Sequence, residues 1–580
     1  MQPSHRIMIV GILLGACVVP GRVSHAQERI SLSAASGMVR VAQNGIYHGD
    51  STAEVSSARN EWESFQVVVS APGNTITIQD VTVSDFVGEG GAKIGGDAVR
   101  LYRVEYVRVR RSTPRAEEPP GLFAGPLVPF INPVTGQPVE PKSQYRERWG
   151  APIQTKGHEM YAVPFDVFSG QSQPLWIDVH VPKDAQAGQY RATIRVTAGD
   201  NLRAELPVTL TVWNFTLPDS PSMRNHFGNF RNVARYFSVE GNSERFREIE
   251  MRYCEAMAEH RMTPPIPRSL LPEVGDDGSL RIDPARTRAL ADFIERLHVS
   301  DFEIPRAPYR APLDADRAKT VRYLKDYYAY VSENGWADGA YYYMHDEPNL
   351  AENYELVRDY GELVHETAPG LKCLVVEQTY PQDPSWPDID PAVDIWCPLW
   401  SFIHRESIAE KIAHGDEVWS YTALTQRSPR YHPDYEQCRD YDPPYWHIDR
   451  PLASYRVPVW INRQYGITGL LYWTTVTMVM DAWNNPAFSH FGRHFNGGGF
   501  LFYPGEPCGI DGAVTGMRVK NLRDGMEDYE YFVILDERGG GDVVEDIVDS
   551  IAPSWWEFTR DPEDYRRART RLAEEIVRRK

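Results

Sequence analysis

Apolar and polar positions alternate in ESFQVVVSA (63–71), where Phe65, Val67 and Val69 stand against Gln66 and Val68, and TITIQDVTV (75–83) behaves in the same way. A period of two predicts strands. LWIDVHVPKDAQAGQYRATIRVTAGD (175–200) reads as a strand, a Pro/Asp/Gly turn and a second strand, and AELPVTLTVWNFTLP (204–218) closes the series. Short strands, regular turn signals and no helical stretch predict a β-sandwich over 27–217. The insert at 112–158, rich in Pro, Arg and Glu, reads as a long loop that reaches over the neighbouring domain.

After LPDSPS (217–222) the period changes, and helices alternate with strands, the mark of parallel β/α architecture. Ser243 caps a helix whose apolar face carries Phe246, Ile249, Tyr253 and Met257, and Asp314 begins another with Val321, Leu324, Tyr328 and Val331 on one face. A third runs around 351–367 and stops at APG. Strands are expected at 224–230, 261–267, 298–305, AYYYM (340–344), 371–378, 393–400, 417–424 and 467–475. Eight strands in this spacing suit a (β/α)8 TIM barrel over 218–538. Its last helix is VKNLRDGMEDYEYFVILDE (519–537), and a short helical tail occupies 539–580. The fold class is thus multidomain, all-β followed by α/β.

Composition narrows the function. A chain of 580 residues exceeds one ordinary core, and a formal charge of −19 argues against nucleic acid or an anionic membrane as partner. The first 26 residues read as an export signal, with Arg6, the apolar run IMIVGILLGACVV and small residues Ser24 and Ala26 before a cut. LGAC (14–17) also resembles a lipobox with Cys17 as the lipidated residue, but the apolar run continues past Cys17, which favours cleavage after Ala26. Periplasmic or extracellular placement follows, with no transmembrane segment after the signal. Cys254, Cys373, Cys397, Cys438 and Cys508 are widely spaced without a CxxC pair, so one disulfide at most is expected and no zinc knuckle.

The chemistry concentrates in YYYMHDEPN (341–349), where Asp346 and Glu347 stand side by side at the C-terminal end of the fourth expected strand. Barrel enzymes place their chemistry on that face. An acid-acid-Pro turn that caps the next helix is the competing reading. Nine of the fifteen tryptophans lie between 336 and 483, where an even spread gives roughly four. Trp396, Trp419 and Trp473 fall near expected strand ends, with Tyr421 close by and Trp483 in a following loop. Flat aromatic faces around an acid pair read as a carbohydrate site. His345 either tunes the acids or points its ring into the barrel, with a structural role favoured; it is kept with the substrate-binding candidates. His490 and His494 lack a helical setting and a third ligand, so no metal is assigned, and no cofactor motif occurs. Glu527, Asp528 and Glu530 lie beside Arg518 and Arg523 and read as ion-pair partners.

HDEP (345–348), VWSYT (418–422), YGITGLLYWTT (465–475), GGGFLFYPG (497–505), MRVKNLRDGMEDYEYFVIL (517–535) and ARNEWESFQVVVSA (58–71) together resemble glycoside hydrolase family 123, whose founding activity is β-N-acetylgalactosaminidase. Segment 425–456 follows no recognisable family pattern. The resemblance implies substrate-assisted retaining hydrolysis by an Asp-Glu pair, with a β-linked N-acetylhexosamine as substrate and no cofactor. The residues agree for an independent reason. A nucleophile and an acid that flank a glycosidic bond stand about 5–5.5 Å apart on opposite sides, whereas neighbouring residues splay their side chains from Cα atoms about 3.8 Å apart. A 2-acetamido group acting as internal nucleophile resolves this, with Asp346 orienting the amide and Glu347 as acid and then base. A glycosidase with another sugar or an endo cut, and a non-catalytic carbohydrate-binding surface protein, are the alternatives. Linkage and oligomeric state stay open.

Overall fold

The computed structural model describes residues 30–139, 160–199, 202–228, 230, 232–476, 479 and 481–579. The segment read as an export signal, with the expected cut after Ala26 and with Cys17, lies outside the described residues, as does 140–158 of the insert.

Two sheets make up the N-terminal part. One has the strand order Ser31–Ser36, Glu61–Ser70, Ser172–Val181, Val99–Val109, Gly121–Pro129. The other is built around Ile76–Val83, Gly188–Ala198 and Arg203–Thr216. Phe65, Val67, Val69, Ile177 and Val179 of the first share a core with Ile78, Val81, Ile194, Val196 and Leu210 of the second. Gly121–Pro129 corrects the sequence reading: the insert is not all loop, because LFAGPLVP supplies a buried strand beside Val99–Val109. Its flank does reach the other domain. Thr113 donates to Asp449 from both its backbone and its hydroxyl (2.7 Å each), and Glu117 pairs with Arg450 and Arg560. In segment 425–456 Asp442, Asp449 and Arg450 bond the insert, whereas buried Trp446 packs on Phe227 and Tyr472 of the second part.

The second part carries a seven-stranded parallel sheet. Its strands are β1 (Arg224–Phe227), β2 (Phe302–Ile304), β3 (Ala340–Asp346), β4 (Lys372–Val376), β5 (Ile395–Trp396), β6 (Glu417–Thr422) and β7 (Gly469–Tyr472), in the order β1-β7-β6-β5-β4-β3-β2. The strand expected at 261–267 does not form, so the acid pair ends the third strand, not the fourth. The reason is in the sequence: Pro264, Pro265 and Pro267 have no N–H to give to a ladder. The sheet curls enough that its two edges approach there. Asn225 N–H donates to Asp301 Oδ2 (2.9 Å), and Thr263 N–H donates to Asn225 Oδ1 (2.6 Å).

Helices cover the outside. They include α1 (Glu244–Glu259), α2 (Pro284–Arg296), α3 (Arg317–Glu333), α4 (Ala351–Thr367), α5 (Arg405–His414), α6 (Pro458–Tyr465) and α7 (Met517–Glu537), followed by α8 (Gly541–Ile551) and α9 (Pro562–Arg578). Ser243 Oγ accepts from Phe246 N–H (3.1 Å) and caps α1, which buries Ile249, Tyr253 and Met257. In α3 the start moves from Asp314 to Arg317, and the buried face is Tyr323, Leu324, Tyr327, Tyr330 and Val331 in place of one with Val321 and Tyr328.

Helix α7 joins the two parts. Asp178 of the first sheet is fully buried between Lys520 Nζ (2.6 Å) and Arg523 Nη1 (3.3 Å). Glu527 pairs with Arg261 and Arg523, Asp528 pairs with Arg456, and Glu530 accepts from Ser222. From α9, Arg569 bonds Glu61 and Glu63 on the first N-terminal sheet. Among the described residues Cys254, Cys373, Cys397, Cys438 and Cys508 are buried and free.

Candidate active site

Strand β3 is apolar on its helix-facing side, with Ala340, Tyr342 and Met344, and turns Tyr341 and Tyr343 into the sheet's concave interior. A strict alternation would put His345 on that interior face as well. It does not, because the ladder with β4 slips at Met344: Tyr343 pairs with Leu374, but His345 pairs with Val375 and Asp346 with Val376. Paired residues on parallel strands share a face. Asp346 therefore joins Val376 on the interior side, and His345 joins Val375 on the helix side, bonded through Nδ1 to the Asp346 carbonyl (3.1 Å). Burial lowers the His345 pKa. His345 is a neighbour of the acids on the helix side of β3.

The bulge brings Tyr343 and Asp346 together, and the Tyr343 hydroxyl donates to Asp346 Oδ1 (3.0 Å). Arg306, just past β2, holds Tyr343 in turn: its Nε donates to the Tyr343 carbonyl (3.0 Å) and its guanidinium lies 5.2 Å from the ring centre. Cys397, fully buried after β5, belongs to the same interior core.

Glu347 takes φ +48°, a conformation that L residues adopt at a cost of about 1–3 kcal/mol when held by their surroundings. Its N–H still bonds the Val376 carbonyl (3.2 Å), and its own carbonyl accepts from Asn349 Nδ2 (2.7 Å). The carboxylate meets the hydroxyl of Tyr421 from β6, which donates to Oε1. Desolvation raises the Glu347 pKa, the Tyr421 bond opposes the rise and Asp346 adds to it. Desolvation is the largest of the three effects.

The aromatic candidates divide sharply. Tyr421 reaches the acid pair. Trp473 is half-buried just past β7, at the same end of the sheet as the acids, and is held by two glycines. A Cβ on Gly228 would meet the Trp473 carbonyl oxygen at 2.2 Å, and one on Gly499 (φ +63°) would meet the indole at 2.3 Å. The other three are buried in the packing of the fold. Trp419 is fully buried in the interior core against Tyr341, with its Nε1 toward Glu417 (3.4 Å). Trp396 faces the helices, donates to Asp416 (3.1 Å) and lies under Lys411. Trp483 packs on Tyr503 in a core shared with Val107 and Phe123, and donates to the Pro504 carbonyl (3.0 Å). Indoles at strand ends serve packing as readily as binding. His490 and His494 sit on a hairpin of Ala487–His490 and Arg493–Asn496, not on a helix.

One carboxyl escaped the sequence reading. Glu377 follows β4 directly, is 6% exposed and accepts from the Tyr354 hydroxyl of α4 (3.0 Å). Burial pushes its pKa up to about 8, and the charge of Glu347 acts in the same direction. The signal was present in LVVEQ, an acid that ends an apolar strand as Asp346 does.

The arrangement offers one carboxylate held by a tyrosine hydroxyl and, next to it, a desolvated carboxyl suited to hold and release a proton. Two family profiles match the chain. "Glycoside hydrolase 123, catalytic domain" covers residues 314–535, and "Glycoside hydrolase 123 N-terminal domain" covers 46–198. Among solved structures, a family 123 glycoside hydrolase from Clostridium perfringens, described for glycolipid glycan hydrolysis, aligns with TM-score 0.62 and 14% identity over 95% of this chain and 97% of that one. A Bacteroides ovatus family 5 xyloglucanase aligns over 86% of this chain and 100% of that one at 10% identity, with a TM-score of 0.22 that carries no weight. No curated protein matches the chain. With both domain profiles in order along the sequence and one family fold matched over nearly its whole length, the chain belongs to glycoside hydrolase family 123 and is a glycoside hydrolase.

Proposed function

We propose that the protein releases β-linked N-acetylhexosamine, N-acetylgalactosamine by family resemblance, with retention through an oxazolinium intermediate. The observation that carries this reading is the placement of two adjacent carboxyls with separate partners, Tyr343 on Asp346 and Tyr421 on Glu347. Asp346 accepts the acetamido N–H and stabilises the positive charge as the acetamido carbonyl oxygen attacks the anomeric carbon. Glu347 gives its proton to the leaving oxygen, then takes one from the water that opens the oxazolinium. Glu377 is a poor alternative nucleophile, being buried, bonded to Tyr354 and held largely neutral near pH 7.

The curled seven-stranded sheet and its helices support a barrel-like scaffold over 218–538, a (β/α)8 pattern in which 261–267 takes the place of one strand, between a sandwich at 27–217 and a tail at 539–580. The leader supports export with a cut after Ala26, or anchoring at Cys17. The glycolipid glycan named for the C. perfringens relative supports a glycoconjugate substrate.

Paired aryl β-glycosides that differ only in a 2-acetamido or 2-hydroxyl group test the mechanism. The acetamido sugar is cleaved, the hydroxyl sugar is nearly inert, the first product is the β anomer and a thiazoline mimic inhibits strongly. Comparable cleavage of the 2-hydroxyl sugar, or an α anomer as first product, overturns the reading.

A further inference from the structure

The gap between β1 and β2, where prolines replace a ladder, opens into a cavity of about 750 Å³. Its walls carry chemistry that the acid pair does not use. Asp301 accepts from Asn225 N–H and Ser300 Oγ through Oδ2, yet among the described residues its Oδ1 has no hydrogen-bond partner, although Asp301 is only 6% exposed. Buried polar atoms are nearly always paired, so an orphan oxygen on a cavity wall points to a guest. Alongside, the His226 ring bonds the Tyr341 hydroxyl through Nδ1 (2.8 Å) and lies 3.8 Å from Glu303 Oε2, and the Glu303 side chain is one-third open.

The lining fixes the class of guest. Asp301, Glu303 and Glu250 supply carboxyl acceptors, against two guanidinium groups from Arg247 and Arg268. The acid excess disfavours an anion. Phe230 and Phe246 add aromatic surface. Acceptors, donors and aromatic faces around a space of this size suit a neutral polyhydroxylated ring. The register ties the cavity to the acids. His226 pairs with Leu471, and Leu471 pairs with Tyr421, the residue bonded to Glu347. At strand spacings of about 4.8 Å, His226 stands roughly 10 Å from Tyr421 along one row.

We propose that this cavity binds a neutral hexose unit of the glycan, with Asp301, Glu303 and His226 hydrogen-bonding its hydroxyls. The proposal rests on the glycan-hydrolase reading above but not on the sugar cleaved or on the acetamido mechanism.

Calorimetric titration of the full mature chain carrying Glu347→Gln, so that no sugar is consumed, tests it with N-acetylgalactosamine, galactose, glucose and glucuronate. We expect at least one neutral sugar to bind, its Kd to rise tenfold or more with either Glu303→Gln or His226→Leu, and glucuronate to bind more weakly. Among the described residues Glu303→Gln removes only its contact with His226, and an unchanged melting temperature shows that the variant is folded. Unchanged affinity in the folded Glu303→Gln variant, preference for glucuronate, or no binding of any neutral sugar overturns the proposal. Binding that depends on Glu303, in a protein that fails to discriminate the 2-acetamido from the 2-hydroxyl glycoside, upholds the cavity and rejects the mechanism alone.

Discussion

The Tyr421 hydroxyl on β6 donates to Glu347 Oε1 at the end of β3, across an interior that separates two strands three places apart in the sheet. This bond stabilises the ionised form of Glu347 and so opposes desolvation and Asp346, which favour the protonated form. Tyr421→Phe removes the opposition. The Glu347 pKa then rises, and the alkaline limb of kcat/KM, which marks loss of the protonated acid, moves to higher pH. A limb that stays in place or moves down would detach Tyr421 from the acid.

Glu347→Gln lowers turnover of a natural glycoside by about 10²–10⁴-fold with the fold intact. An aryl glycoside with a very good leaving group loses less in the first step, since its departure needs little protonation. Burst kinetics on a leaving-group series measure this, and equal losses across the series count against the acid role.

Trp419 and Trp473 separate packing from binding. Trp419 is fully buried in the interior core, and Trp419→Ala costs roughly 3–5 kcal/mol of stability in chemical denaturation. Trp473 is half-buried at the mouth of the sheet, and Trp473→Ala raises the substrate Kd more than it lowers the melting temperature. A collapse in stability with normal binding by the folded remainder would return Trp473 to the core.

Glu377 makes stability depend on pH. Its folded pKa of about 8 lies above the value of about 4.3 expected of an unfolded glutamate. Between those values the folded chain holds a proton that the unfolded chain has released, so stability is full below pH 4 and falls as pH rises toward 8. Glu377→Gln keeps an acceptor for Tyr354, and the fall in melting temperature between pH 5 and 8 becomes shallower by roughly a few degrees. Parallel curves for the two proteins would contradict this.

Asp178 sits between Lys520 and Arg523 with none of the three exposed at the side chain. Asp178→Ala removes the carboxylate from buried Lys520, while Arg523 keeps Asp524 and Glu527, and costs about 3–5 kcal/mol. Thermal unfolding of the variant checks it, and a near-neutral change would show that water or Asp524 compensates.

Local pattern alone determined much of this protein. Alternation in 63–71 and 175–218 dictated strands, because a period of two can bury only one face of a pleated chain. The switch to helical spacing after 222 dictated the β/α part, and an acid pair at the end of YYYM marked the site. Even the missing strand was legible, since Pro264, Pro265 and Pro267 cannot donate to a ladder. Tertiary structure decided the rest. Whether Trp396 meets helices or sugar depends on which face the register assigns to it, and register is a property of strand pairs. The bulge at Met344 exchanged the faces of His345 and Asp346, and no periodicity within β3 foretells a slip against β4. The Tyr421–Glu347 bond joins residues 74 apart in sequence; it exists because a curled sheet brings β6 opposite β3, and curvature belongs to the whole sheet rather than to any strand.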